Sequence, residues 1–506
     1  MFEPSKVLLR FSDNPKDFWT VDDCLKGVSV IGGTGSGKTS GSGKSLAFKY
    51  LREDWGGLVL CAKSDEADLW RQYCKETGRE EDLIVFSKGS VHLTGEHAGQ
   101  EMVFNPIDYE MKRGGDGAGE TFNITNIFMN IYRMGNRIAS EGDTHEERYW
   151  DTALKRCLNR VIELIKLSDE DLSYKNMVKI LSSSNAVNEE SYLKKILELK
   201  KSNDWSKINK ENNYCMQCIL KIYAMLCLPG QMPTSEEKNS ADLVFDYFLN
   251  ILPTMSSKTK SVVTESFMGL AEPFLSGLLH RHFSGKTNVF PEMAYKENKI
   301  IVLDFPVKEY LDAGIMAQCV FKLLFQQAIE RRRVKDHPLP VFLWADEAQY
   351  FVNPYDQIFL TTARGSRAAT VFLSQSISNY FAVMGSGEDA KARVDSMMGN
   401  LSTKFFHANS DAVTNEYSSR LIGSAIASMK TKGSSQSFIN LNFQQSEGSS
   451  EQYLPQIQPR EFTTLKSGGA ANSYQVHAIV FVTGKLWSNN VNFYKASFKQ
   501  EFNEKK

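Results

Sequence analysis

The segment 32–39, which reads Gly-Gly-Thr-Gly-Ser-Gly-Lys-Thr, constrains the fold of this chain more than any other segment. It fills every position of the pattern G-x-x-x-x-G-K-[ST], and the apolar run 28–31 (Val-Ser-Val-Ile) leads into it. A segment compatible with a helix follows at 45–51. Because this pattern binds phosphate between a strand and a helix, the segment predicts a phosphate-binding loop in its usual context.

The residue types of the loop suit the phosphates of a nucleotide. Glycines let successive backbone N–H groups curl around an anion, and the N-terminus of the following helix adds its dipole. Lys38 is expected to reach the β- and γ-phosphates, and Thr39 is expected to bind magnesium. The nucleotide-binding residues predicted here are Gly32, Gly33, Thr34, Gly35, Ser36, Gly37, Lys38, Thr39 and Ser40.

A second glycine-rich pattern follows at 41–45 (Gly-Ser-Gly-Lys-Ser). It does not complete a second loop, because Lys38 occupies the position where the first glycine is needed. We therefore predict that 41–45 forms the first turns of the helix.

Strands and helices alternate in two parts of the chain. In the first part, apolar runs at 58–61 and 83–86 follow the loop, with a helical stretch between them. In the second part, apolar runs recur between helical segments, at 299–304, 341–347, 371–375, 403–407 and 476–482. This alternation is typical of a mainly parallel sheet with helices on both faces, so we predict the α/β fold class.

The middle of the chain differs, because apolar residues there recur at three- and four-residue steps. One such stripe lies between 149 and 165, and others lie at 177–181, 192–199, 214–226 and 262–275. These stripes are typical of amphipathic helices. We predict an all-α domain at 113–290, inserted between the two parts of the sheet domain at 1–112 and 291–506. Its lysines and arginines fit either solvated helix faces or contacts to nucleic acid.

The segment 430–451 is rich in Ser, Gln and Gly, and Ile439, Leu441 and Phe443 alternate with polar residues in it. This composition fits either a mobile loop or a hairpin.

A second motif, Phe-Leu-Trp-Ala-Asp-Glu at 342–347, ends an apolar strand in two acids. Open α/β sheets bind ligands at the carboxyl ends of their strands, so both acids are expected to face the loop. Asp346 would hold Mg²⁺ directly or through water, and Glu347 would orient and polarise a water molecule against the γ-phosphate. The pair favours ATP hydrolysis, although an ordinary strand end is the alternative interpretation.

Three polar residues near the next strand are further candidates for catalysis. Gln375 ends that strand, where its amide could sense hydrolysis at the γ-phosphate, and a plain strand-end turn is the alternative. Arg364 and Arg367 precede the strand. An arginine supplied to the γ-phosphate of a neighbouring subunit stabilises transition-state charge, and this role requires a ring of subunits. Each arginine fits a surface ion pair equally well.

Composition narrows the class of protein. A length of 506 residues exceeds what one hydrophobic core can organise and predicts two or three domains. The net charge of −1 argues against a strongly basic nucleic-acid-binding chain but allows a local basic surface. Eight cysteines without regular spacing favour a reducing compartment and free thiols over a zinc site. No apolar run approaches the roughly 18 residues that a membrane span needs, so we expect a soluble protein.

Taken in order, these motifs resemble those of the type IV secretion coupling proteins, the TraG/TraD-like conjugation ATPases in the FtsK–HerA branch of RecA-like motors. The resemblance covers most of the chain. The stretches that carry it are 32–39, Phe-Asn-Pro-Ile-Asp at 104–108, 300–306, the acid pair Asp346-Glu347, 363–376, and the closing segment from Leu454 through Phe462 to Trp487.

The resemblance implies a RecA-like P-loop domain with an inserted all-α domain, assembled as a hexameric ring. It implies that ATP and Mg²⁺ drive the movement of DNA, or of a protein–DNA complex, with relaxase or secretion-channel proteins as partners. Coupling proteins usually begin with transmembrane helices, whereas the first motor strand here begins at Val28. We therefore expect a cytoplasmic protein with no integral membrane segment, or one held at the inner membrane through a partner.

Other functions stay open on the sequence alone. One is a soluble FtsK/HerA-like DNA motor in packaging, repair or phage defence. Another is a nucleotide-gated scaffold that recruits substrate proteins through the helical block and the segment 430–451. A small-molecule kinase is disfavoured, because Glu347 beside Asp346 prepares water and no basic lid loop is evident.

Overall fold

The computed structural model describes residues 2–135, 145–228, 232–385, 387–436 and 443–500. The strands are β1 (Val7–Arg10), β2 (Phe18–Thr20), β3 (Val28–Ile31), β4 (Gly56–Leu60), β5 (Leu83–Ser87), β6 (Ile300–Asp304), β7 (Val341–Ala345), β8 (Ala368–Ser374), β9 (Thr403–Phe406), β10 (Ser424–Gln436), β11 (Phe443–Pro455), β12 (Gln475–Val482) and β13 (Phe493–Lys499). The helices are α1 (Val21–Leu25), α2 (Lys44–Arg52), α3 (Glu66–Thr77), α4 (Pro106–Lys112), α5 (Thr121–Gly135), α6 (His145–Leu167), α7 (Tyr174–Ser184), α8 (Glu189–Ser202), α9 (Tyr214–Cys227), α10 (Ser235–Phe245), α11 (Leu252–Thr254), α12 (Ser257–Ala271), α13 (Gly277–Phe283), α14 (Met293–Lys296), α15 (Val307–Arg331), α16 (Pro354–Thr362), α17 (Ile377–Met384), α18 (Glu388–Asn400) and α19 (Ala412–Ile422).

The main sheet contains nine of the described strands, in the order β13-β12-β9-β3-β8-β7-β4-β6-β5. Every pair from β9 to β5 is parallel, and β12 and β13 add an antiparallel edge. The predicted fold class, a mainly parallel sheet flanked by helices, is confirmed. Because parallel strands point the same way, the segments after β3, β8, β7 and β4 meet at one edge of the sheet.

Both faces of the sheet are buried, which is why its strands are continuous apolar runs. Successive residues of β6 alternate between two apolar clusters. Ile301 and Leu303 belong to the cluster that contains α15 and the helices between 121 and 283. Ile300 and Val302 belong to the cluster that contains α2 and α3. Helices therefore cover the sheet on both sides.

The described residues from α5 to α13 contain helices and no strand. Side chains that accept backbone N–H bonds begin several of these helices, as Ser173, Asn188 and Asn213 do. Such caps satisfy N–H groups that the helix itself leaves unpaired. The helix α5 packs against α15, so the helical block adjoins the sheet through that helix. The division of the chain into domains at 1–112, 113–290 and 291–506 stays a prediction.

Some elements differ from the sequence-based expectation. The strand β1 pairs with β2 in a separate two-stranded sheet, and neither β2 nor β13 was predicted. The long helix α15 begins at Val307, directly after the residues that follow β6. Its backbone leaves helical geometry at Leu311 (φ 48°, ψ −130°), so the regular helix starts only after this kink.

The strands β10 and β11 form an antiparallel hairpin, which is one of the two alternatives for the segment 430–451. Their pairing runs from Ser424 opposite Pro455 to Gln436 opposite Phe443. The residues Ile439 and Leu441 lie outside the described part of the chain. At the base of the hairpin, β11 packs against α19. In the described residues the hairpin forms a sheet of its own and shares no strand pairing with the main sheet.

Within the described ranges, no helix has both the length and the apolar character that crossing a membrane requires.

Candidate active site

The loop 32–39 connects β3 to the helix α2, as the sequence predicts. Gly32 donates a backbone hydrogen bond to the Ser374 carbonyl at the end of β8 (3.1 Å), and Gly33 donates to the Ala408 carbonyl just after β9 (2.9 Å). Gly35 and Gly37 have φ values of 73° and 80°, a left-handed backbone that favours glycine. The loop is thus fixed to the carboxyl edge of the sheet.

A π-helical turn, Thr39–Gly43, joins the loop to α2, so the echo at 41–45 begins the helix as predicted. Ser42 in this turn donates a hydrogen bond to Nε2 of His407 (2.7 Å), and Nδ1 of His407 donates to the His477 carbonyl (3.1 Å). Burial lowers the pKa of His407 to about 3, so this ring is neutral. The neutral ring connects the turn before α2 to the neighbouring strands β9 and β12.

The Thr39 hydroxyl donates a hydrogen bond to Oδ2 of Asp346 at 2.8 Å. Oδ1 of Asp346 accepts the backbone N–H of Glu347 at 2.9 Å, which fixes the carboxylate plane. A hydroxyl and a carboxylate are hard oxygen donors that fit Mg²⁺, which takes its other ligands from water and substrate phosphates. No group of three or more His, Cys, Asp or Glu in the described residues could hold a metal ion. The pair fits a Mg²⁺ ion that is bound together with a nucleotide.

Glu347 is buried and faces the loop. Its Oε1 lies 3.1 Å from Nζ of Lys63 and 3.7 Å from Nζ of Lys38, and it accepts a hydrogen bond from Gln375 at 3.1 Å. Its Oε2 accepts a hydrogen bond from Gln349 at 3.1 Å. The Glu347 backbone is left-handed (φ 51°, ψ 49°), which costs a non-glycine residue about 1–2 kcal/mol. The two lysine ammonium groups and the two glutamine amides thus surround the Glu347 carboxylate with hydrogen-bond donors.

These donors lower the pKa of Glu347 and so keep its carboxyl group ionised. Burial by itself raises its pKa, but the Lys38 ammonium, the amides of Gln375 and Gln349, and Lys63 together lower the pKa to about 2. Glu347 is consequently ionised at neutral pH and can accept a hydrogen bond or a proton.

Gln375 lies between the loop and the acid pair. Its Nε2 donates to Glu347, and its Oε1 accepts from the Thr34 hydroxyl at 3.2 Å. The structure thus brings Lys38, Thr39, Asp346, Glu347 and Gln375 together at one edge, whereas their catalytic roles stay predictions.

Arg364 and Arg367 lie at the other end of β8 from this site. The seven residues of β8 span about 20 Å. Arg364 pairs with Asp22 at 2.9 Å, and Arg367 donates to the Pro338 carbonyl at 2.6 Å. The Arg367 guanidinium also lies 3.6 Å from the centre of the Phe2 ring. Neither arginine contacts the site of its own chain, so the predicted role toward a neighbouring subunit stays a prediction.

A cavity of about 550 Å³ opens between the loop and Glu347. The loop residues Gly33 to Ser40 form one wall of it. The remaining lining residues are Lys44, Lys63, Leu69, Gln72, Tyr73, Lys308, Glu347 and Gln375.

The sequence analysis did not identify Lys63 and Gln349, which contact Glu347, or the buried acid Glu66 beside Lys63. Lys63 follows the apolar run 58–61, so its place at the carboxyl end of a strand was a usable signal. Gln349 carried no such signal, because it lies past the end of the strand, in the 3₁₀ turn 348–350. Glu66 is buried beside Lys63, with Oε1 at 4.0 Å from the Lys63 ammonium, and its Oε2 accepts the Ala62 N–H at 2.7 Å.

Fold and loop together define an α/β protein of the P-loop fold class. Residues 340–467 match a family model described as the TraM recognition site of TraD and TraG. No curated protein sequence matches the chain significantly.

Solved structures share the fold over nearly the whole chain. The unbound bacterial conjugative coupling protein TrwBdeltaN70 aligns with a TM-score of 0.55 at 12% identity, covering 99% of this chain and 88% of that one. The plasmid coupling protein TrwB in complex with ADP and Mg²⁺ gives 0.53 at 12% identity, covering 98% and 92%. The same protein with a non-hydrolysable ATP analogue gives 0.55 at 12% identity, covering 99% and 94%. The resemblance to the type IV coupling protein family is confirmed by the matched segment and the shared fold.

Glu66 makes stability depend on pH. Burial raises its pKa to about 8, with a further rise from Asp346, against the lowering effects of Lys63 and the Ala62 amide. Since its ordinary value is 4.5, the folded chain binds more proton than the unfolded chain between pH 4.5 and 8. The free energy of unfolding therefore falls as pH rises through this window. The variant Glu66→Gln has no carboxyl group to titrate here, so its stability does not fall in this way. The Tm of the variant minus the Tm of wild type should therefore be higher at pH 8 than at pH 5.5, by roughly 2–5 °C.

Thermal unfolding without nucleotide at the two pH values measures this difference. The matched control is Glu80→Gln, because Glu80 is exposed and its replacement should change Tm equally at both pH values. A Glu66→Gln difference that is the same at pH 5.5 and pH 8 would contradict the prediction.

Proposed function

We propose that this chain binds ATP with Mg²⁺ in the cavity beside the loop and hydrolyses it. The observation that carries the proposal is the contact between Thr39 and Asp346, 2.8 Å long, with the ionised Glu347 next to it. A phosphate-binding loop alone fits many nucleotide-binding functions. Here Glu347 lines the cavity and Asp346 contacts Thr39 of the loop, so a carboxylate that can activate water lies next to a pair of oxygens that can hold Mg²⁺.

Each residue has a defined task in this reaction. Lys38 moves its ammonium from Glu347 to the β- and γ-phosphates, and Thr39 and Asp346 hold the metal. Mg²⁺ bound there supplies positive charge beside the phosphate oxygens. Glu347 orients a water molecule and accepts its proton as the water oxygen bonds to the γ-phosphorus. The bond from that phosphorus to the oxygen of the β-phosphate breaks, which yields ADP and inorganic phosphate.

Two substitutions separate binding from hydrolysis. Lys38→Ala should weaken ATP binding and abolish turnover, because it removes the cation of the loop. Glu347→Gln should keep ATP binding but lower turnover by at least about 100-fold, since an amide cannot accept the proton. Phosphate release and equilibrium nucleotide binding measure the two effects.

Lys391→Ala and Glu416→Gln are the matched controls, because they make the same changes at exposed positions away from the cavity. If Glu347→Gln hydrolysed ATP at the wild-type rate, the catalytic role assigned to the acid pair would be wrong.

We propose further that hydrolysis moves DNA, in a ring of six copies that resembles the conjugation motors. The family match and the shared fold support this, and so do two arginines placed at the far end of β8 from the site, where a neighbouring copy could use them. In the same turnover assay, DNA should stimulate the wild-type rate, and DNA affinity should fall steeply with salt because phosphates dominate the contact. Turnover that is equal with and without DNA would contradict translocation while leaving the ATPase in place.

The hairpin β10–β11 supports a second, compatible function, the recruitment of a partner protein. It lies inside the segment that matches the family model for a TraM recognition site. Ile426 and Tyr453 are opposite each other at its base and are 58% and 75% exposed. Isolated two-stranded hairpins are marginally stable in water, so a bound protein would stabilise this one.

A shortened hairpin tests this function. Replacing 428–451 with Asn-Gly keeps the cross-strand pairs nearest the base and closes them with a favoured turn. We expect ATP turnover within about twofold of wild type, because no described residue of the hairpin lines the cavity. We also expect a loss of the protein partners that the full-length chain recovers from the source cells. Partner recovery equal to that of the full-length chain would exclude the hairpin as the recruiting element.

A further inference from the structure

Two lysines share one oxygen of the proposed catalytic carboxylate, and the sequence motifs account for only one of them. Oε1 of Glu347 lies 3.7 Å from the Lys38 ammonium and 3.1 Å from the Lys63 ammonium. Lys38 belongs to the phosphate-binding loop. Lys63 is the nearer of the two, and the proposed reaction gives it no task. Any role of Lys63 in this cavity rests on the proposed function, the binding of ATP there.

The sheet order explains how Lys63 reaches this carboxylate. The strands β3, β8, β7 and β4 are consecutive neighbours. At their carboxyl ends the chain places, in the same order along the edge, Lys38, Gln375, Glu347 and Lys63. The acid lies between a lysine on each side, and Lys63 approaches from the side opposite the loop. A phosphate beside Glu347 would therefore lie between two cations.

The base of the Lys63 side chain is fixed, while its ammonium is accessible. Gln318 of α15 accepts the Cys61 N–H at 2.7 Å and donates to the Cys61 carbonyl at 2.9 Å. The next amide, that of Ala62, donates to Glu66 at 2.7 Å. The Lys63 side chain itself is 35% exposed and lines the cavity. The ammonium can thus move between partners without a change in the backbone.

Charge decides which partner the ammonium prefers. Without nucleotide, Glu347 is the anion that Lys63 contacts most closely, at 3.1 Å. A γ-phosphate brings more negative charge and more acceptor oxygens than one carboxylate, and ammonium–phosphate hydrogen bonds are among the strong ones. ADP brings no anion to the γ position, so it leaves the contact between Lys63 and Glu347 in place.

We propose that Lys63 is a specificity residue of this site, which holds Glu347 when the γ-phosphate position is empty and binds the γ-phosphate when ATP is present. The exchange gives ATP an advantage over ADP. It also frees one acceptor position on Oε1 of Glu347, to which the attacking water can donate a hydrogen bond while Gln375 stays bound.

Equilibrium binding of two nucleotides tests the exchange. Isothermal titration with Mg²⁺ compares ADP with the non-hydrolysable imido analogue of ATP, on wild type and on Lys63→Met. Methionine keeps the apolar stem and removes the charge. The loss of one charge-assisted hydrogen bond should weaken the analogue about tenfold and change ADP affinity by less than about twofold. Lys63→Arg should restore most of the preference for the analogue.

Lys308→Met is the matched control. Lys308 lines the same cavity, but among the described residues Glu347 pairs with Lys38 and Lys63 and not with Lys308. Its replacement should leave the ratio of the two affinities unchanged.

The outcomes separate a failure of the exchange from a failure of the proposed function. If wild type binds both nucleotides and Lys63→Met weakens them equally, or weakens neither, the exchange is wrong and the nucleotide site stands. The exchange is also wrong if Lys308→Met changes the ratio as much as Lys63→Met does. If wild type binds neither nucleotide, the proposed function itself fails. Retained ADP binding by Lys63→Met shows that the variant is folded.

Discussion

The hydrogen bond between Thr39 and Asp346 joins two segments that are 307 positions apart in the chain. The site exists only because parallel strands bring these segments to one edge of the sheet. β3 and β7 flank β8, so the loop, the amide of Gln375 and the acid pair follow one another along that edge. The helices between 121 and 283 lie in sequence between the two halves of the site, but they do not interrupt the strand order that forms it.

The helix α15 connects this edge to the helical block. Gln318 bonds to the backbone after β4 and also donates to the Phe305 carbonyl after β6, at 2.8 Å. One turn further on, the buried Lys322 donates to both carboxylate oxygens of Asp356, at 2.7 and 2.6 Å. Removing one partner of such a pair leaves a buried charge without compensation, so the contact holds α15 to the segment that follows the acid pair. The same helix packs against α5. A change at the site therefore has a continuous packed route to the helical block.

The sequence predicts the features that depend on short motifs, but it does not predict contacts that depend on the order of strands in the sheet. The glycine-rich loop and the acid pair are short motifs, and the rule that parallel strands end at one edge was enough to bring them together. The sequence shows that Lys63 follows a strand, but not that it contacts Glu347, because that contact depends on β4 lying beside β7. The contacts of the neutral His407 were missed for the same reason, since its partners come from the π-helical turn before α2 and from β12. The edge strand β13 was overlooked although its residues alternate between exposed and buried, which is the period of a half-buried strand.

The decisive experiment is a structure of the full chain with Mg²⁺ and the non-hydrolysable imido analogue of ATP. We expect the phosphates within the loop 32–39 and Mg²⁺ bound to the Thr39 hydroxyl and held by Asp346, directly or through one water. We also expect the γ-phosphate beside Glu347 and Gln375. Phosphates bound away from the loop, or a metal ion that contacts neither Thr39 nor Asp346, would show that the loop and the acid pair do not form one nucleotide site.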